Sequence, residues 1–446
     1  MEKRSVIIIG GDAAGMSAAA KAKRVNPNLE ITVFEKGEYI SYSQCGLPYY
    51  IGGVNPERGR LIARVPEDFE KQNISVLTRH EVTAIDVEKK KVTVYRQQTG
   101  ERFEQHYDIL VLATGAEPYV PPIPGKDLKN VMTLKTIPDA DAIKAIAENP
   151  EIKHVVLVGG GYINVEMMEA MALLGKDVRL IQRPKTLLNK FDPEFGEIVQ
   201  KEAEKHGVQV HTQETVEALI GEESVQKIRT DRGEYPADLV ILAVGIRPCT
   251  KLLKNSGVEM LKNGAIIVDS QGRTNLPDIY AAGDCASVYH KVKERNVYIP
   301  LGTNANKQGR LVGAVIAGED QKFQGVLGSA VVKVFDLTLA KTGISEEEAK
   351  EINLPYKSIT VQAPSHAAAY PDPRKITIKL VYEKETKRLL GAQMAGEKGV
   401  AKRLDVFALA IDRKMTTEEL GWVDFCYSPP YATPWDAVQI AANAAK

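Results

Sequence analysis

The chain has 446 residues, which is too many for one ordinary hydrophobic core and predicts about two to four domains. Its 58 Lys and Arg residues equal its 58 Asp and Glu residues in number, which excludes a general attraction to nucleic acid or to an anionic membrane. The N-terminal sequence lacks a signal-peptide pattern and no apolar run is long enough to span a bilayer, so we expect a cytoplasmic protein without a membrane or nucleic acid partner.

The first predicted element is a buried strand, a Gly-containing turn and an Ala-rich helix in SVIIIGGDAAGMSAAAKAKR, residues 5–24. This pattern opens a βαβ unit that binds a dinucleotide. Gly10 permits a tight turn, Gly15 lets the helix pack closely on the strand, and Asp12 lies between them. Glu35, which ends the next predicted strand, is placed to accept hydrogen bonds from a ribose.

The cysteines are four in number and scattered along the chain, at Cys45, Cys249, Cys285 and Cys426. They form no CxxC pair, and no Cys and His residues cluster at the spacing of metal ligands. The sequence therefore predicts neither a disulfide framework nor a metal site. Cys249 and Cys285 lie in apolar strand and turn contexts, where we expect small buried residues.

The same strand, turn and helix recur from residue 154 in HVVLVGGGYINVEMMEAMALLG, which predicts a second dinucleotide-binding unit. Gly159 and Gly161 occupy its turn, but Asn164 replaces the third glycine. We therefore expect a wider turn, or an amide that contacts a phosphate. At the ribose position Gln182 and Arg183 offer no carboxylate, which predicts that NADPH is accepted, alone or together with NADH.

A second internal repeat closes each unit. DILVLATGAEP at 108–118 resembles DLVILAVGIRP at 238–248, a buried strand leading into a tight turn in each case. Thr114, Gly115 and Gly245 lie in these turns. Asp284, in the later segment IYAAGDCA, is a candidate acceptor for polyol hydroxyls, although an Asp that caps the following helix would look the same.

The pattern changes after about residue 325 to strand-like runs, a helix around KRLDVFALAIDRK and a Pro-rich tail followed by a helix-like segment. We interpret this as a third, α+β domain. The sequence thus predicts an α/β protein with two Rossmann-like domains and a C-terminal α+β domain. The predicted boundaries are 1–115 with 246–325 for the first, discontinuous domain, 116–245 for the second and 326–446 for the third.

Two dinucleotide units, the segments ATGAEP and YAAGDCA, and one cysteine in SQCGLPYY together resemble the flavin-dependent pyridine nucleotide-disulfide oxidoreductases. The resemblance covers essentially the whole chain. It implies FAD in the first unit, NAD(P)H in the second, and a C-terminal domain that forms a homodimer and completes each active site. The best-known members use a CxxxxC pair, but this chain has Tyr50 where the second cysteine would follow Cys45, so it resembles the single-cysteine branch.

Within that branch the chain is most similar to the coenzyme A-disulfide reductases. Oxidases and peroxidases of the branch carry a His in the first Gly-rich turn, where this chain has Ala13 and so lacks an imidazole for proton handling. Coenzyme A-disulfide reductases contribute two tyrosines from the partner subunit, which Tyr370 and Tyr427 match. Trp435 departs from the family's usual Lys, which puts a phosphate contact there in doubt.

Further site residues follow from the motifs and the resemblance. The predicted cofactor-binding residues are Gly10, Asp12, Gly15, Glu35, Thr114, Gly115, Asp284, Ala305, Gly159, Gly161, Tyr162, Asn164, Glu166, Gln182, Arg183 and Gly245. The predicted coenzyme A-binding residues are Lys21, Arg24, Ser41, Gln44, Lys71 and Asn306. A solvated helix face is the alternative for Lys21 and Arg24, and a packed core aromatic is the alternative to a flavin gate for Tyr162. The helix that begins near Gly302 is expected to point its N-terminus at the flavin.

The implied reaction is the reduction of coenzyme A disulfide to two thiols by NAD(P)H, through FAD and a mixed disulfide between Cys45 and coenzyme A. It requires a Cys45 pKa below that of a free thiol, and Tyr427 with Tyr370 to protonate the leaving thiolate. The alternatives are a persulfide or polysulfide reductase, an NADH oxidase, and a flavoprotein sensor, each using Cys45. A redox role for Cys426 also stays open, because it adjoins Tyr427.

Overall fold

The computed structural model describes residues 4–446, so the first three residues of the first predicted domain lie outside the described residues. Its strands are β1 (Ser5–Ile9), β2 (Glu30–Phe34), β3 (Ile74–Leu77), β4 (His80–Asp86), β5 (Lys91–Arg96), β6 (Glu101–His106), β7 (Ile109–Leu112), β8 (Ala116–Pro118), β9 (Val131–Met132), β10 (His154–Val158), β11 (Asp177–Gln182), β12 (Gln209–Thr212), β13 (Val216–Ile220), β14 (Lys227–Thr230), β15 (Gly233–Pro236), β16 (Leu239–Leu242), β17 (Ile246–Pro248), β18 (Ile279–Ala281), β19 (Val288–His290), β20 (Arg295–Val297), β21 (Ala330–Val334), β22 (Leu337–Gly343), β23 (Tyr356–Pro364), β24 (Lys375–Glu383) and β25 (Leu389–Gly396). Its α-helices are α1 (Ala13–Val25), α2 (Leu47–Ile51), α3 (Pro66–Glu70), α4 (Ile137–Glu148), α5 (Tyr162–Leu173), α6 (Pro193–Lys205), α7 (Gly302–Ile316), α8 (Glu346–Glu351), α9 (Val400–Asp412), α10 (Thr417–Gly421) and α11 (Ala437–Ala444), and 3₁₀ helices cover Gln44–Gly46, Arg58–Leu61 and Lys251–Leu253. None of these helices is long and apolar enough to cross a membrane.

The first nucleotide-binding sheet is parallel and runs in the order β18-β7-β1-β2-β3. Its central strand β1 is apolar and buried, as expected for a parallel sheet covered on both faces. Because the strands are parallel, the residues that follow β1, β2 and β7 meet at one edge of the sheet. Gly10, Glu35 and Ala113 lie at that edge, which is where a dinucleotide binds in such folds.

Small residues let α7 cross α1 at close range on the first sheet. A Cβ atom at Gly309 would lie 2.1 Å from the Ala14 carbonyl oxygen, and one at Gly313 would lie 2.3 Å from the Ala18 carbonyl oxygen. The two helix backbones therefore approach as closely as glycine allows. This contact holds the N-terminus of α7 beside the first Gly-rich turn.

Replacing Gly309 with Ala is expected to destabilise the protein by about 1–3 kcal/mol, because the added methyl group forces α1 and α7 apart. The matched control is Gly302→Ala, since a Cβ at Gly302 on the same helix meets no atom within 4 Å. Thermal unfolding followed by circular dichroism measures both variants. Equal melting temperatures for the two would contradict the close crossing.

The second nucleotide-binding sheet is also parallel, in the order β12-β11-β10-β16-β9, with α5 following β10 as α1 follows β1. The repeated closing segments take the same form, β7 then β8 in the first unit and β16 then β17 in the second. Strands β8 and β17 pair with each other antiparallel, with Glu117 opposite Arg247. The two passages of chain between the units thus run side by side.

The third domain is an antiparallel sheet of order β21-β22-β25-β24-β23, with α9 and α11 packed on it. The Pro-rich tail leads into α11, whose Val438 and Ala441 are buried against the sheet. The predicted fold class, two Rossmann-like domains and a C-terminal α+β domain, is confirmed. The exact boundaries stay a prediction.

A partly buried group of charges joins the second unit to the third domain. The Lys379 ammonium on β24 lies 3.1 Å from an Asp192 oxygen, 2.6 Å from Glu194 and 2.9 Å from Glu346. Asp192 is 1% exposed and also accepts a 2.6 Å hydrogen bond from the Gln393 amide. Every charge in the group has a partner, which a buried ion cluster needs in order to be stable.

Candidate active site

The first Gly-rich turn is shaped by contacts that only glycine tolerates. Gly10 has a φ of +109°, and a Cβ there would lie 2.1 Å from the Ala113 carbonyl oxygen. A Cβ at Gly15 would lie 1.9 Å from the Gly10 carbonyl oxygen, which explains the close packing of α1 on β1. The Glu35 carboxylate accepts hydrogen bonds from the backbone N–H groups of Gly11 (2.7 Å) and Gly37 (2.6 Å). Each of its oxygens retains a lone pair for a ribose hydroxyl.

Asp12 turns away from this turn toward the Cys45 segment. Its carboxylate accepts hydrogen bonds from the Tyr42 backbone N–H (3.2 Å) and from the Gln44 amide (2.7 Å). Burial raises the pKa of Asp12 to about 6, although both hydrogen bonds act in the opposite sense. Asp12 therefore connects the first turn to the segment that carries Cys45.

Cys45 lies on the short 3₁₀ helix Gln44–Gly46, just before α2, and is exposed. On the side away from solvent, burial raises the pKa of the Cys45 thiol, and the charges of Glu166 and Asp284 raise it further. The Lys135 ammonium acts in the opposite sense. The protein groups alone thus work against the low thiol pKa that we expected from the sequence. A low thiol pKa would therefore require a further positive influence, such as a bound cofactor.

Lys135 is a site residue that the sequence analysis missed. Its ammonium donates a 2.6 Å hydrogen bond to the Gln44 side-chain oxygen and lies 3.8 Å from an Asp284 oxygen. It belongs to the second unit but reaches into the first. No motif marks this position, because its role depends on how the two units are placed relative to each other.

Glu166 and Tyr49 form a second pair beside Cys45. The Tyr49 hydroxyl donates a 3.1 Å hydrogen bond to a Glu166 oxygen. Burial raises the pKa of Glu166 to about 7; the Tyr49 hydrogen bond opposes this, and the charge of Glu169 adds to it. A carboxyl group with a pKa near 7 can exchange a proton under ordinary conditions, as groups at active sites often do.

The second Gly-rich turn corrects one expectation. Asn164 is fully buried, and its amide N–H₂ donates hydrogen bonds to the carbonyl oxygens of Val158 (2.8 Å) and Gly159 (2.9 Å). These bonds tie α5 to the end of β10, so the amide N–H₂ group does not face a phosphate. Gly161 remains the N-cap residue of α5, with open space where a Cβ would stand.

The predicted ribose position of the second unit divides into a buried residue and an exposed one. Gln182 is buried; its side-chain amide donates a hydrogen bond to the Thr186 carbonyl oxygen, and its oxygen would meet a Cβ at Gly160. Arg183, the next residue, is exposed. Tyr162 packs edge-on against Phe191, with ring centroids 6.5 Å apart.

The remaining predicted cofactor residues lie in the turns after β7 and β16, in the segment before α7, and in α7 itself. The Thr114 hydroxyl donates a 2.7 Å hydrogen bond to the Cys249 carbonyl oxygen, and Gly115 and Gly245 both have positive φ angles. Ala305 is buried in the first turn of α7, close to where a Cβ on Gly283 would stand. Asp284 lies beside this contact, in the segment before α7, with burial raising its pKa.

The predicted coenzyme A-binding residues do not all meet at Cys45. Gln44 and Ser41 precede it on the same segment. Lys21 instead forms an ion pair with Glu319 at 3.0 Å, and Lys71 forms an exposed pair with Asp68. Arg24 is exposed. The Asn306 side-chain oxygen accepts a 3.0 Å hydrogen bond from the Ser17 hydroxyl.

The two predicted catalytic tyrosines lie on the surface of the third domain. Tyr370 is 47% exposed and Tyr427 is 51% exposed. The groups that act most strongly on the Cys45 thiol, by contrast, belong to the first and second units. Other exposed aromatic residues on the third domain are Trp422, Tyr431 and Trp435. Such a concentration of exposed aromatic side chains is typical of a protein interface.

The other cysteines are also free, in keeping with the absence of a disulfide framework. Cys285 is fully buried, as expected. Cys249 is only partly buried, whereas the sequence predicted a buried residue. Cys426 is exposed next to Tyr427.

The first unit fits FAD on structural grounds. Its turn has the backbone shape that a pyrophosphate needs, and Glu35 is oriented for a ribose. The Tyr298 hydroxyl is buried without a hydrogen-bond partner, and the charges of Asp284, Cys285 and Cys249 act on it. A buried hydroxyl needs a partner, and a polar group of a bound cofactor would supply one.

The sequence matches the pyridine nucleotide-disulphide oxidoreductase family over residues 4–309 and the dimerisation domain of that family over residues 329–437. The chain belongs to this family. It is therefore an enzyme, an oxidoreductase that works with FAD and NAD(P)H, and it carries a dimerisation domain.

Relatives in the family span several named activities. The NAD(P)H coenzyme A polysulfide/persulfide reductase of Pyrococcus horikoshii is 40% identical over 446 residues, which cover 100% of this chain and 99% of that protein. An NADH oxidase of Enterococcus faecalis is 36% identical over 443 residues, covering 99% of each chain. The crystal structure of reduced Bacillus anthracis CoADR-RHD superposes with a TM-score of 0.97 and 38% identity, covering 100% of this chain and 80% of that one. Family membership thus leaves the oxidised substrate open.

Proposed function

We propose that this chain reduces a coenzyme A-linked disulfide with NAD(P)H, using FAD and a single redox thiol, Cys45. The observation that carries the proposal is the position of Cys45. The thiol is exposed at the point where groups of both nucleotide-binding units act on it, Asp284 from the first and Glu166 with Lys135 from the second. A thiol there is accessible to an incoming disulfide.

The residues around Cys45 favour a thiol reaction over peroxide or oxygen chemistry. Ala13 begins α1 beside the Cys45 segment, where the oxidases and peroxidases of this family carry an imidazole. Ser41, four residues before Cys45, offers a hydroxyl group for a polar pantetheine chain. Gln44, next to Cys45, retains one amide hydrogen beyond its bonds to Asp12 and Lys135. Coenzyme A also occurs in the name of the Pyrococcus relative, which supports the substrate class.

In the proposed cycle Cys45 exchanges thiol partners. Its thiolate attacks the disulfide, a bond forms between Cys45 and one coenzyme A sulfur, and the other coenzyme A leaves as thiolate. Bound FAD supplies the transfer of electrons from NAD(P)H that reduces the mixed disulfide. Lys135 favours the anionic sulfur, because its ammonium lies within the group of charges that acts on Cys45.

The proposal includes a homodimer in which Tyr427 and Tyr370 of one subunit complete the site of the other. Both tyrosines are exposed on the domain that matches the family's dimerisation domain. Removal of water from these aromatic side chains on association would stabilise the dimer. Their hydroxyl groups would then reach the leaving thiolate.

The decisive test compares oxidised substrates under anaerobic and aerobic conditions. NADPH consumption is measured with coenzyme A disulfide, with coenzyme A persulfide and with oxygen, and the Cys45 peptide of protein isolated without reductant is weighed by mass spectrometry. We expect turnover with the disulfide and a coenzyme A adduct on Cys45. Turnover with the persulfide alone would favour the second candidate, a persulfide reductase, which uses the same exposed thiol. Turnover with oxygen alone would contradict both.

NADPH acceptance is expected to depend on Arg183. Arg183 is exposed next to the buried Gln182, where its guanidinium can pair with a 2′-phosphate. Arg183→Glu is expected to lower kcat/KM for NADPH by about 10-fold or more, because a charge-assisted pair is replaced by repulsion. Steady-state kinetics with both nucleotides measure this, with the NADH value as the internal control. An equal loss for NADH and NADPH would contradict a 2′-phosphate contact.

A further inference from the structure

Tyr49 is a hydroxyl group close to Cys45 that the proposed function does not yet use. The 3₁₀ helix Gln44–Gly46 runs directly into α2, so the chain is helical without a break from 44 to 51. Residues four apart lie on the same face of a helix, which places Tyr49 on the face of Cys45. In agreement with this placement, the charge on the Cys45 sulfur acts on the Tyr49 hydroxyl.

Behind Tyr49 lies Glu166, a carboxyl group in the second unit. The two side chains are joined by the 3.1 Å hydrogen bond from Tyr49 to Glu166, and the charge of Glu166 acts on the Cys45 thiol. The three groups therefore form a continuous set across the contact between α2 and α5. That contact is close, since a Cβ at Gly52 would lie 2.9 Å from the Ala170 Cα atom.

A small cavity lies beside this pair. Its volume is only about 10 Å³, room for about one water molecule, and Tyr49, Glu166 and Glu169 contribute polar groups to its wall. Val54 and Leu173, which also line it, are 62% and 57% exposed. A water molecule in this cavity would contact the pair on a side that Cys45 does not line.

We propose that Tyr49 and Glu166 form a proton-holding pair within one subunit, which protonates the thiolate released when a disulfide bond at Cys45 is broken. This inference rests on the proposed function, since it needs a leaving thiolate. It adds a catalytic residue, Tyr49, to a site otherwise completed by the partner's tyrosines.

The protons and electrons balance as follows. Two electrons from the reduced cofactor break the bond between the Cys45 sulfur and the substrate sulfur, and each sulfur keeps one electron pair. The Tyr49 hydroxyl proton moves to the leaving substrate sulfur, the Glu166 carboxyl proton moves to the Tyr49 oxygen, and Glu166 takes a proton from solvent. A protonated Glu166 also frees the Tyr49 hydrogen, because the carboxyl group can then donate to the Tyr49 oxygen.

The charges around Glu166 set the pH range of this transfer. Tyr49 from α2 and Cys45 from the 3₁₀ helix face it, Glu169 lies one turn further along α5, and the Lys333 ammonium of β21 pairs with Glu169. Burial raises the pKa of Glu166 to about 7, so the Glu166 carboxyl group carries its proton below that pH and loses it above. Reduction of the disulfide should therefore slow as pH rises through about 7.

Tyr49→Phe tests the pair, with Tyr50→Phe as the matched control. Tyr50, on the same helix, also donates to a carboxylate, Asp141 at 2.9 Å, but does so in contact with α4. Under anaerobic stopped-flow mixing, Tyr49→Phe is expected to slow reoxidation of the reduced holoenzyme by coenzyme A disulfide about 100-fold at pH 6 and to remove the inflection near pH 7. Reduction of the bound flavin by NADPH, which breaks no disulfide bond, should keep its wild-type rate. An unchanged pH profile in Tyr49→Phe would overturn the proposal.

A second measurement needs no substrate and separates this inference from the proposed function. Iodoacetamide alkylation of Cys45 is followed against pH by peptide mass in the FAD-loaded protein. Glu166→Gln is expected to shift the alkylation profile to lower pH, because a charge that opposes the thiolate is removed, whereas Tyr50→Phe should not. If wild-type protein never reduces coenzyme A disulfide but Glu166→Gln still shows the shift, only the proposed function is contradicted. Profiles that coincide for Glu166→Gln and wild type would overturn the pair.

Discussion

Cys45→Ser is expected to abolish disulfide reduction while the bound flavin is still reduced by NADPH at the wild-type rate. The serine hydroxyl cannot form a mixed disulfide, so the loss of turnover should exceed about 10³-fold. Cys45 is the exposed residue of its 3₁₀ turn, and the exchange of sulfur for oxygen leaves that turn intact. Anaerobic stopped-flow absorbance resolves the two half-reactions.

The matched control is Cys426→Ser, since Cys426 is the other exposed cysteine. It should reduce disulfide at the wild-type rate, and a large loss in this variant would instead give Cys426 a redox role at the partner's site. Undiminished turnover in Cys45→Ser would contradict the assignment of Cys45 as the redox thiol. In that case the exposed thiol would not take part in the reaction.

Lys379→Met is expected to lower the free energy of unfolding by about 3–5 kcal/mol. Methionine preserves the length of the side chain but leaves the buried Asp192 carboxylate and Glu194 without a cation. Glu346 keeps its ion pair with Lys350 at 3.2 Å. The loss should appear first as separation of the second unit from the third domain. Urea unfolding followed by tryptophan fluorescence reports on the third domain, because Trp422 and Trp435 both lie there.

The size of this loss should depend on pH in a defined direction. In the wild type, burial favours the neutral form of Glu346, but the hydrogen bonds from Lys379, Tyr356 and Lys350 together outweigh it and lower the pKa to about 2. A carboxyl group with a lowered pKa stabilises the fold above its unfolded value of 4.5, and this stabilisation is lost as pH falls toward 2. The difference between Lys379→Met and wild type should therefore shrink over that range.

The exposed pair of Lys91 and Glu104 provides the control. The Glu104 side chain is 61% exposed, and its carboxylate lies 3.0 Å from the Lys91 ammonium. Exposed pairs contribute about 0–1 kcal/mol, so Glu104→Ala should have little effect on unfolding. A Lys379→Met variant as stable as Glu104→Ala would mean that the buried charges do not hold the two units together.

Much of the fold could be predicted from the sequence because its signals are local. Each Gly-rich turn follows a short apolar strand and precedes a helix, and the repeat of this pattern near Gly10 and Gly159 predicts two units. Both parallel sheets, the antiparallel third domain and α11 after the Pro-rich tail follow the prediction.

The parts of the site that the sequence could not predict depend on long-range packing. Lys135 meets Gln44 only because the two units lie against each other, and no spacing along the chain indicates it. For Asn164 we expected either a wider turn or a contact between its amide and a phosphate, but the buried amide N–H₂ group donates to the nearest backbone carbonyl groups. The Cys45 pKa depends on Glu166 and Asp284, which are far apart in sequence.

The ribbon of β8 and β17 brings the two ends of the second unit together. These two ends leave the first unit side by side, with Tyr119 hydrogen-bonded to Gly245 at 2.8 Å. Because these two ends already touch, the length of the chain between β8 and β17 can change without stretching the first sheet. Selection for a different nucleotide could then change the second unit while the first nucleotide-binding sheet stays unchanged.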